Sequence, residues 1–110
     1  MITELALLRL LPGSGSAFTA ASASASPLLT SADGYIRHRL VSALESTDLY
    51  LLAVGWRDVA AHTGGFENSE AHARFMAPLK TRLSGDPIVL HVRRGRSATP
   101  KASPQPSLSC

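Results

Sequence analysis

The segment LYLLAVGWR, residues 49–57, constrains the fold more than any other part of the chain. It is a predicted strand with apolar side chains on both faces, since Leu49, Leu51 and Ala53 alternate with Tyr50, Leu52, Val54 and Trp56. A strand of this kind is typical of the middle of a sheet that is covered on both sides. The chain has enough helices for one face only, so we expect a partner subunit to cover the other.

The remaining segments complete a short alternation of strands and helices. Predicted strands occupy residues 2–10, 35–45, 49–57 and 86–93, and predicted helices occupy residues 14–32, 58–63 and 69–83. Residues 35–45 are more polar than the other strands, which suits a position near a sheet edge. The order β-α-β-β-α-α-β predicts an α+β, ferredoxin-like fold with a four-stranded antiparallel sheet.

Residues 14–32, SGSAFTAASASASPLLTSA, carry conflicting signals. Alanine favours a helix, but serine and threonine compete for backbone hydrogen bonds. Phe18, Ala21 and Ala25 keep a weak helical stripe, and Pro27 should end or kink the helix. The alternative is a flexible Ala/Ser linker. We expect a poorly packed helix, because the two flanking strands need a cover.

The chain divides into one domain and a tail. Its 110 residues suffice for one modest core. Residues 94–110 are rich in serine, proline and basic residues and are predicted to be disordered, which leaves residues 1–93 as the domain. Much of the net charge of +3 comes from Arg93, Arg94, Arg96 and Lys101. A nucleic-acid partner is not expected, because no basic stripe falls on the folded part. Binding of acidic partners through the tail stays open.

Nothing in the chain favours secretion or a membrane. The one cysteine, Cys110, allows no intrachain disulfide. The apolar start has no basic residues before it and is interrupted by Glu4 and Arg9, unlike a signal peptide. Residues 10–32 carry no charge but are too polar to span a bilayer. We expect a cytoplasmic protein with no membrane partner.

The stretch LLAVGWRDVAAHTGGFENSEAHARF resembles the antibiotic-biosynthesis monooxygenase-like group of dimeric α+β barrels. In that family a central strand ends in Trp, and a short helix with a late His, an aromatic residue and a Ser-capped helix follow. The matching residues here are Trp56, His62, Phe66 and Ser69. The resemblance covers about residues 1–93. It implies a homodimer in which two sheets form a shared barrel, with a small apolar pocket between helices and sheet in each subunit.

The resemblance also implies a range of activities. Some members are cofactor-free oxygenases that act on polycyclic phenols, and others degrade haem. The haem-degrading members use an Asn on the first strand, a Trp before the long helix and a His within it. Here the first strand has no Asn, and the other positions fall near Gly65-Phe66 and on Phe75. Haem degradation is therefore not expected.

Two functions from different classes remain. The first is a cofactor-independent monooxygenase of secondary metabolism that acts on phenolic or polyketide-like substrates and uses no cofactor. The alternative is a non-catalytic ligand-binding or structural homodimer of the same fold. The alternative is motivated by the lack of a visible acid/base pair that converges in the sequence.

His72 is the candidate catalytic residue. It lies on the apolar stripe of the predicted helix at residues 69–83, and imidazole titrates near neutral pH, as a general base requires. A satisfied, half-buried histidine is the structural alternative. His62 is expected to have a structural role at a helix end. The candidate substrate-binding residues are Tyr50, Trp56, Phe66, Phe75 and Met76. A Trp at a strand end also serves as a core anchor.

Other site types are not expected from the sequence. The four histidines, at positions 38, 62, 72 and 91, do not have the spacing of metal ligands, so no metal is predicted. Gly13-Ser14-Gly15 lacks the lysine of a phosphate-binding loop. No serine has the glycine pattern of a nucleophile elbow.

Overall fold

The computed structural model describes residues 1–93, so the predicted disordered tail, 94–110, lies outside the described residues. Its regular elements are β1 (Ile2–Arg9), α1 (Gly15–Thr30), β2 (Tyr35–Ser42), β3 (Leu49–Trp56), α2 (Glu70–Lys80) and β4 (Ile88–Arg93). A π-helical turn (Ala61–Gly65) and a 3-10 turn (Phe66–Asn68) connect β3 to α2. None of the helices in this part of the chain has the length and apolarity needed to cross a membrane.

The four strands form one antiparallel sheet in the order β2-β3-β1-β4. The predicted ferredoxin-like α+β fold is therefore confirmed, with β3 in the middle of the sheet and β2 at an edge. The register pairs Glu4 of β1 with Val54 of β3 on one side and with His91 of β4 on the other. Because directly paired residues point to the same face of a sheet, these three side chains share one face.

Both helices pack against the face that carries Glu4, and the core lies between them and the sheet. Its buried apolar side chains are Ala6, Leu8, Leu10, Phe18, Ala25, Leu29, Val54, Trp56, Ala61, Phe66, Phe75 and Leu79. Burying one large apolar side chain contributes about 1.5–3 kcal/mol, so this set supplies most of the driving force for folding.

The part of the opposite sheet face that β1, β3 and β4 form is mostly apolar and only partly covered. None of the side chains that β1, β3 and β4 place there is buried within the described residues. Leu7 and Leu51 lie opposite each other at its centre and are half-buried. At its edges, Ile88 is 62% exposed and Leu90 is 49% exposed. This is the second apolar face that the sequence of β3 predicts.

The first helix differs from the prediction for residues 14–32. α1 does not end at Pro27 but continues to Thr30, and it is well packed: Phe18 and Leu29 are 1% and 2% exposed. Pro27 lacks one N–H, yet its carbonyl accepts a hydrogen bond from the N–H of Ser31 at 3.1 Å. Burial of Leu29 in the core holds the last turn in place. The flexible-linker alternative is therefore also wrong.

Other boundaries differ for local reasons. The second long helix ends at Lys80 rather than at residue 83, because the chain then runs beside the end of β1: the N–H of Leu11 donates to the carbonyl of Arg82 at 2.8 Å. Residues 58–63 were predicted to form a short helix capped by Asp58. Asp58 does accept a hydrogen bond from the N–H of Ala61 at 2.8 Å, but the turn that follows is π-helical.

Candidate functional site

A cavity of about 280 Å³ lies between the two helices and the sheet. Its wall is mostly apolar, with side chains from both helices and three strands, among them Ala6, Leu8, Phe18, Leu29, Leu52, Val54, Phe66, Phe75, Met76, Leu79 and Val89. Five residues add polar groups to it: Glu4, His62, Glu67, His72 and Lys80. A mostly apolar pocket with a few polar groups is the usual form of a small-molecule site.

A buried carboxylate, Glu4, is fixed at the cavity by two aromatic neighbours. The chain's single tryptophan, Trp56, is fully buried, and its indole N–H donates a hydrogen bond to Oε1 of Glu4 at 3.0 Å. The ring of His62 stacks on the indole, with centroids 5.4 Å apart, and its Nε2 lies 3.3 Å from the same oxygen. Among residues 1–93, Glu4 and His62 are the buried polar side chains, at 8% and 4% exposed. A buried carboxylate is tolerated only with such partners.

His62 joins Glu4 to two more titratable side chains. Its Nε2 also lies 3.4 Å from Oε2 of Glu67, and its Nδ1 lies 2.8 Å from Nε2 of His91. Because Nε2 faces two carboxylates, we assign a ring proton to it, and in that tautomer Nδ1 accepts a hydrogen bond from the Nε2–H of His91. The arrangement can move a proton between the cavity and His91, which is half-buried on the edge strand β4.

His72 lies in the first turn of α2 and faces the cavity. Its backbone N–H donates to the hydroxyl of Ser69, the helix N-cap, at 3.1 Å. Its ring meets Phe66 edge to face at a centroid distance of 5.2 Å. Burial lowers the pKa of His72 below its usual 6.5 by more than the attraction of Glu67 raises it. At neutral pH the imidazole is therefore uncharged and able to accept a proton.

The predicted site residues divide into two groups. His72, Phe66, Phe75 and Met76 line the cavity together. Tyr50 and Trp56 are not part of the wall that residues 1–93 form around it. Tyr50 packs behind the wall, 5.5 Å from the ring of Phe18, and Trp56 lies behind Glu4 and His62.

The sequence pattern does not predict the group formed by Glu4, His62, Glu67 and His91. His62 is predicted to have a structural role at a helix end, yet it lines the cavity and contacts both carboxylates. One signal was present: Glu4 alternates with Ala6 and Leu8 on a strand face that is otherwise apolar, and a buried ionisable group is a marker of function. Glu67 and His91 have no such signal, since only the fold brings them to His62.

The histidines do not form a metal centre in the part of the chain that the structure describes. Residues 1–93 hold no group of three or more His, Cys, Asp or Glu side chains arranged to bind a metal ion. His38 lies apart from the other three, with its Nδ1 2.6 Å from the hydroxyl of Tyr35.

Similar proteins are found both by sequence and by structure. Residues 1–78 match the family described as antibiotic biosynthesis monooxygenase. The uncharacterized protein YczJ of Bacillus subtilis (strain 168) is 34% identical over 91 residues, which cover 83% of this chain and 96% of that protein.

Two solved structures have the same fold. A Bordetella bronchiseptica protein named as an antibiotic biosynthesis monooxygenase superimposes with a TM-score of 0.84 at 27% identity, over 86% of this chain and 97% of that one. SnoaB, a cofactor-independent oxygenase from Streptomyces nogalater, has a TM-score of 0.74 at 15% identity, over 91% and 97% of the two chains. At 15% identity the likeness concerns the fold alone. From the family match and the identity to YczJ, the chain belongs to the antibiotic biosynthesis monooxygenase family.

Proposed function

We propose that the protein is a cofactor-independent monooxygenase for a small phenolic or polyketide-like molecule. The observation that carries the proposal is an apolar cavity of about 280 Å³ with proton-accepting side chains in its wall, in a chain of this family. Pockets for drug-sized ligands measure roughly 300–1,000 Å³, so a compact ring system is the expected substrate.

The reaction requires the protein only to bind the substrate and to transfer a proton. Loss of a proton from an activated CH₂ group leaves a substrate anion that can give electrons to O₂. The CH₂ carbon becomes a carbonyl carbon, and the second oxygen atom leaves as water, so the substrate supplies every electron. The apolar wall keeps bulk water from the anion, and a positioned base takes the proton.

His72 is the base in this proposal. Burial keeps its imidazole uncharged at neutral pH, so its ring can accept the proton. Phe66, Phe75 and Met76 form the substrate-binding wall around it. Tyr50 and Trp56 support that wall from behind, through Phe18 and Glu4.

The proposed working unit is a cytoplasmic homodimer. The sheet face that carries Leu7, Leu51 and Leu90 is apolar and partly exposed. A second copy of the same face covers its apolar centre, while Arg37 and Arg39 lie on the same face at the edge strand β2.

Oxygen uptake tests the reaction. The wild-type protein is given a panel of anthrones in an oxygen electrode cell, and we expect about one O₂ per substrate, with the quinone as product. His72→Gln should reduce turnover by about 10²-fold or more, the usual contribution of a general base. His38→Gln is the matched control, because His38 does not line the cavity. Undiminished turnover in His72→Gln would remove His72 as the base.

The same panel separates the alternative function. Ligands that bind in the cavity without oxygen uptake by the wild-type protein would favour a non-catalytic ligand-binding homodimer.

A further inference from the structure

We propose that Glu4 anchors the ligand, with its second carboxylate oxygen accepting a hydrogen bond from a phenolic or enolic hydroxyl group. This role rests on the ligand-binding function of the cavity proposed above but requires no turnover. It makes Glu4 the residue that selects between ligands with and without a hydroxyl donor.

The first step of the argument concerns the two oxygens of Glu4. Oε1 receives both contacts from the protein, from Trp56 at 3.0 Å and from His62 at 3.3 Å. None of the hydrogen bonds formed within residues 1–93 uses Oε2. In the same residues, no side-chain nitrogen or oxygen that is shut off from solvent lacks a hydrogen-bond partner. Oε2 therefore has accessible surface.

The second step places that surface. Glu4 is only 8% exposed, and it lines the cavity. It lies on a central strand, with Val54 beside it on β3 and His91 on β4, so its remaining open side is toward the cavity. Oε2 thus offers an unused acceptor to whatever occupies the cavity.

The third step is energetic. A carboxylate oxygen without a partner beside an apolar wall is unfavourable, and a hydrogen bond to a charged group is among the stronger ones in a protein. The bond from Trp56 fixes the orientation of the carboxylate, and the central strand fixes its position. A ligand hydroxyl that donates to Oε2 meets an acceptor that needs no rearrangement.

The surroundings define the chemical class of the ligand. The cavity wall is mostly apolar, which suits a small ring system. A ligand carboxylate is disfavoured near Glu4, because Glu67 lies on the other side of the same His62 nitrogen. Lys80 also lines the cavity, but it is eight residues from His72 on α2, about 12 Å along the helix axis. The expected ligand is a neutral arene or enol with one hydroxyl donor at its polar end.

Binding of matched ligands without oxygen tests this role. Dissociation constants are measured by titration calorimetry for 1-naphthol, 1-methoxynaphthalene and 1-tetralone, which offer a donor, no donor, and an acceptor. The wild-type protein should prefer naphthol over its methyl ether by about tenfold or more. This ratio needs no variant and so does not depend on whether a mutant folds.

Glu4→Gln then tests the atom itself. The glutamine oxygen can still accept from Trp56, while its amide presents N–H groups to the cavity. We expect Glu4→Gln to lose the preference for naphthol and to bind tetralone more tightly than wild type does. The control is Glu45→Gln, the same change at an exposed position in the β2–β3 connection, which should behave as wild type.

The outcomes are separable from those of the oxygenase proposal. Equal wild-type affinity for naphthol and its methyl ether would overturn the anchoring role, even if oxygen uptake is observed. An unchanged ligand ratio in a folded Glu4→Gln protein would do the same and leave Glu4 as a structural partner of Trp56. No binding of any of the three ligands would also count against the role. A high naphthol ratio without oxygen uptake would refute only the oxygenase.

Discussion

Replacing Trp56 by phenylalanine removes the N–H that donates to Glu4 but keeps an aromatic ring in the core. A hydrogen bond to a charged group is worth about 1.5–3 kcal/mol. The smaller ring loses about 1 kcal/mol of burial. We therefore expect Trp56→Phe to lower the free energy of unfolding by about 2.5–4 kcal/mol, since the carboxylate stays buried with one partner fewer.

A double-mutant cycle with Glu4→Leu isolates the interaction energy between Trp56 and Glu4. Each single change leaves one buried polar group without its partner, whereas the double variant removes both groups. We expect the double variant to be more stable than the sum of the two single costs predicts, by at least about 1 kcal/mol.

Urea unfolding followed by far-ultraviolet circular dichroism is the suitable assay, because Trp56→Phe removes the chain's single tryptophan. All variants are compared at one protein concentration, since the stability of the proposed dimer would depend on concentration. Phe18→Leu is the control: it shrinks a ring that is equally buried but carries no N–H, and its cost should add to that of Glu4→Leu. Additive costs in the Trp56 cycle would refute the reasoning.

Three further predictions concern stability and assembly. Burial lowers the pKa of His72 in the folded state, so its contribution to stability is present above pH 6.5 and is lost as the pH falls below that value. As the pH is lowered, urea midpoints should therefore fall more steeply in wild type than in His72→Gln. Parallel curves of midpoint against pH would contradict this. Gly34→Ala should cost more than about 2 kcal/mol in the same assay, because Gly34 has a φ of +85° and a Cβ there would lie 2.5 Å from another side-chain carbon. Gly64→Ala is the control, since a Cβ there meets nothing within 4 Å. Equal costs would refute the steric argument. Leu51→Lys should yield monomers in light scattering, because it places a charge in the proposed interface. Leu44→Lys, at a site 99% exposed, should leave the proposed dimer intact. A dimeric Leu51→Lys protein would show that the interface lies elsewhere.

Strand periodicity predicts this fold well because β3, the segment that decides it, is short and has an unambiguous pattern of apolar side chains. β3 is apolar on both faces, which predicts a central strand, and β2 is more polar, which predicts an edge. The helix at residues 15–30 has a weaker sequence signal, since its Ala/Ser composition hides the contribution of two or three buried side chains. Phe18 lies on the weak helical stripe visible in the sequence, whereas the burial of Leu29 beyond Pro27 depends on tertiary contacts.

The candidate site was predictable only in part. His72 lies on a helical apolar stripe, so its position at the cavity follows from the sequence. The contacts around His62 do not, because Glu4, Glu67 and His91 come from three separate segments and meet only when β1 pairs with both β3 and β4. A single carboxylate on an apolar strand face was the available signal.

Ligand-induced changes in the amide spectrum of the protein would test most directly whether the cavity is the binding site. Titration of isotopically labelled protein with 1-naphthol should shift the amides of residues around the cavity, above all those of Glu4, His72 and Met76. The amide of Val41, whose side chain lies on the opposite face of the sheet, and that of Leu44, whose side chain is 99% exposed, should stay in place. Shifts concentrated on that opposite face, or none at millimolar naphthol, would contradict the assignment of the cavity as the functional site.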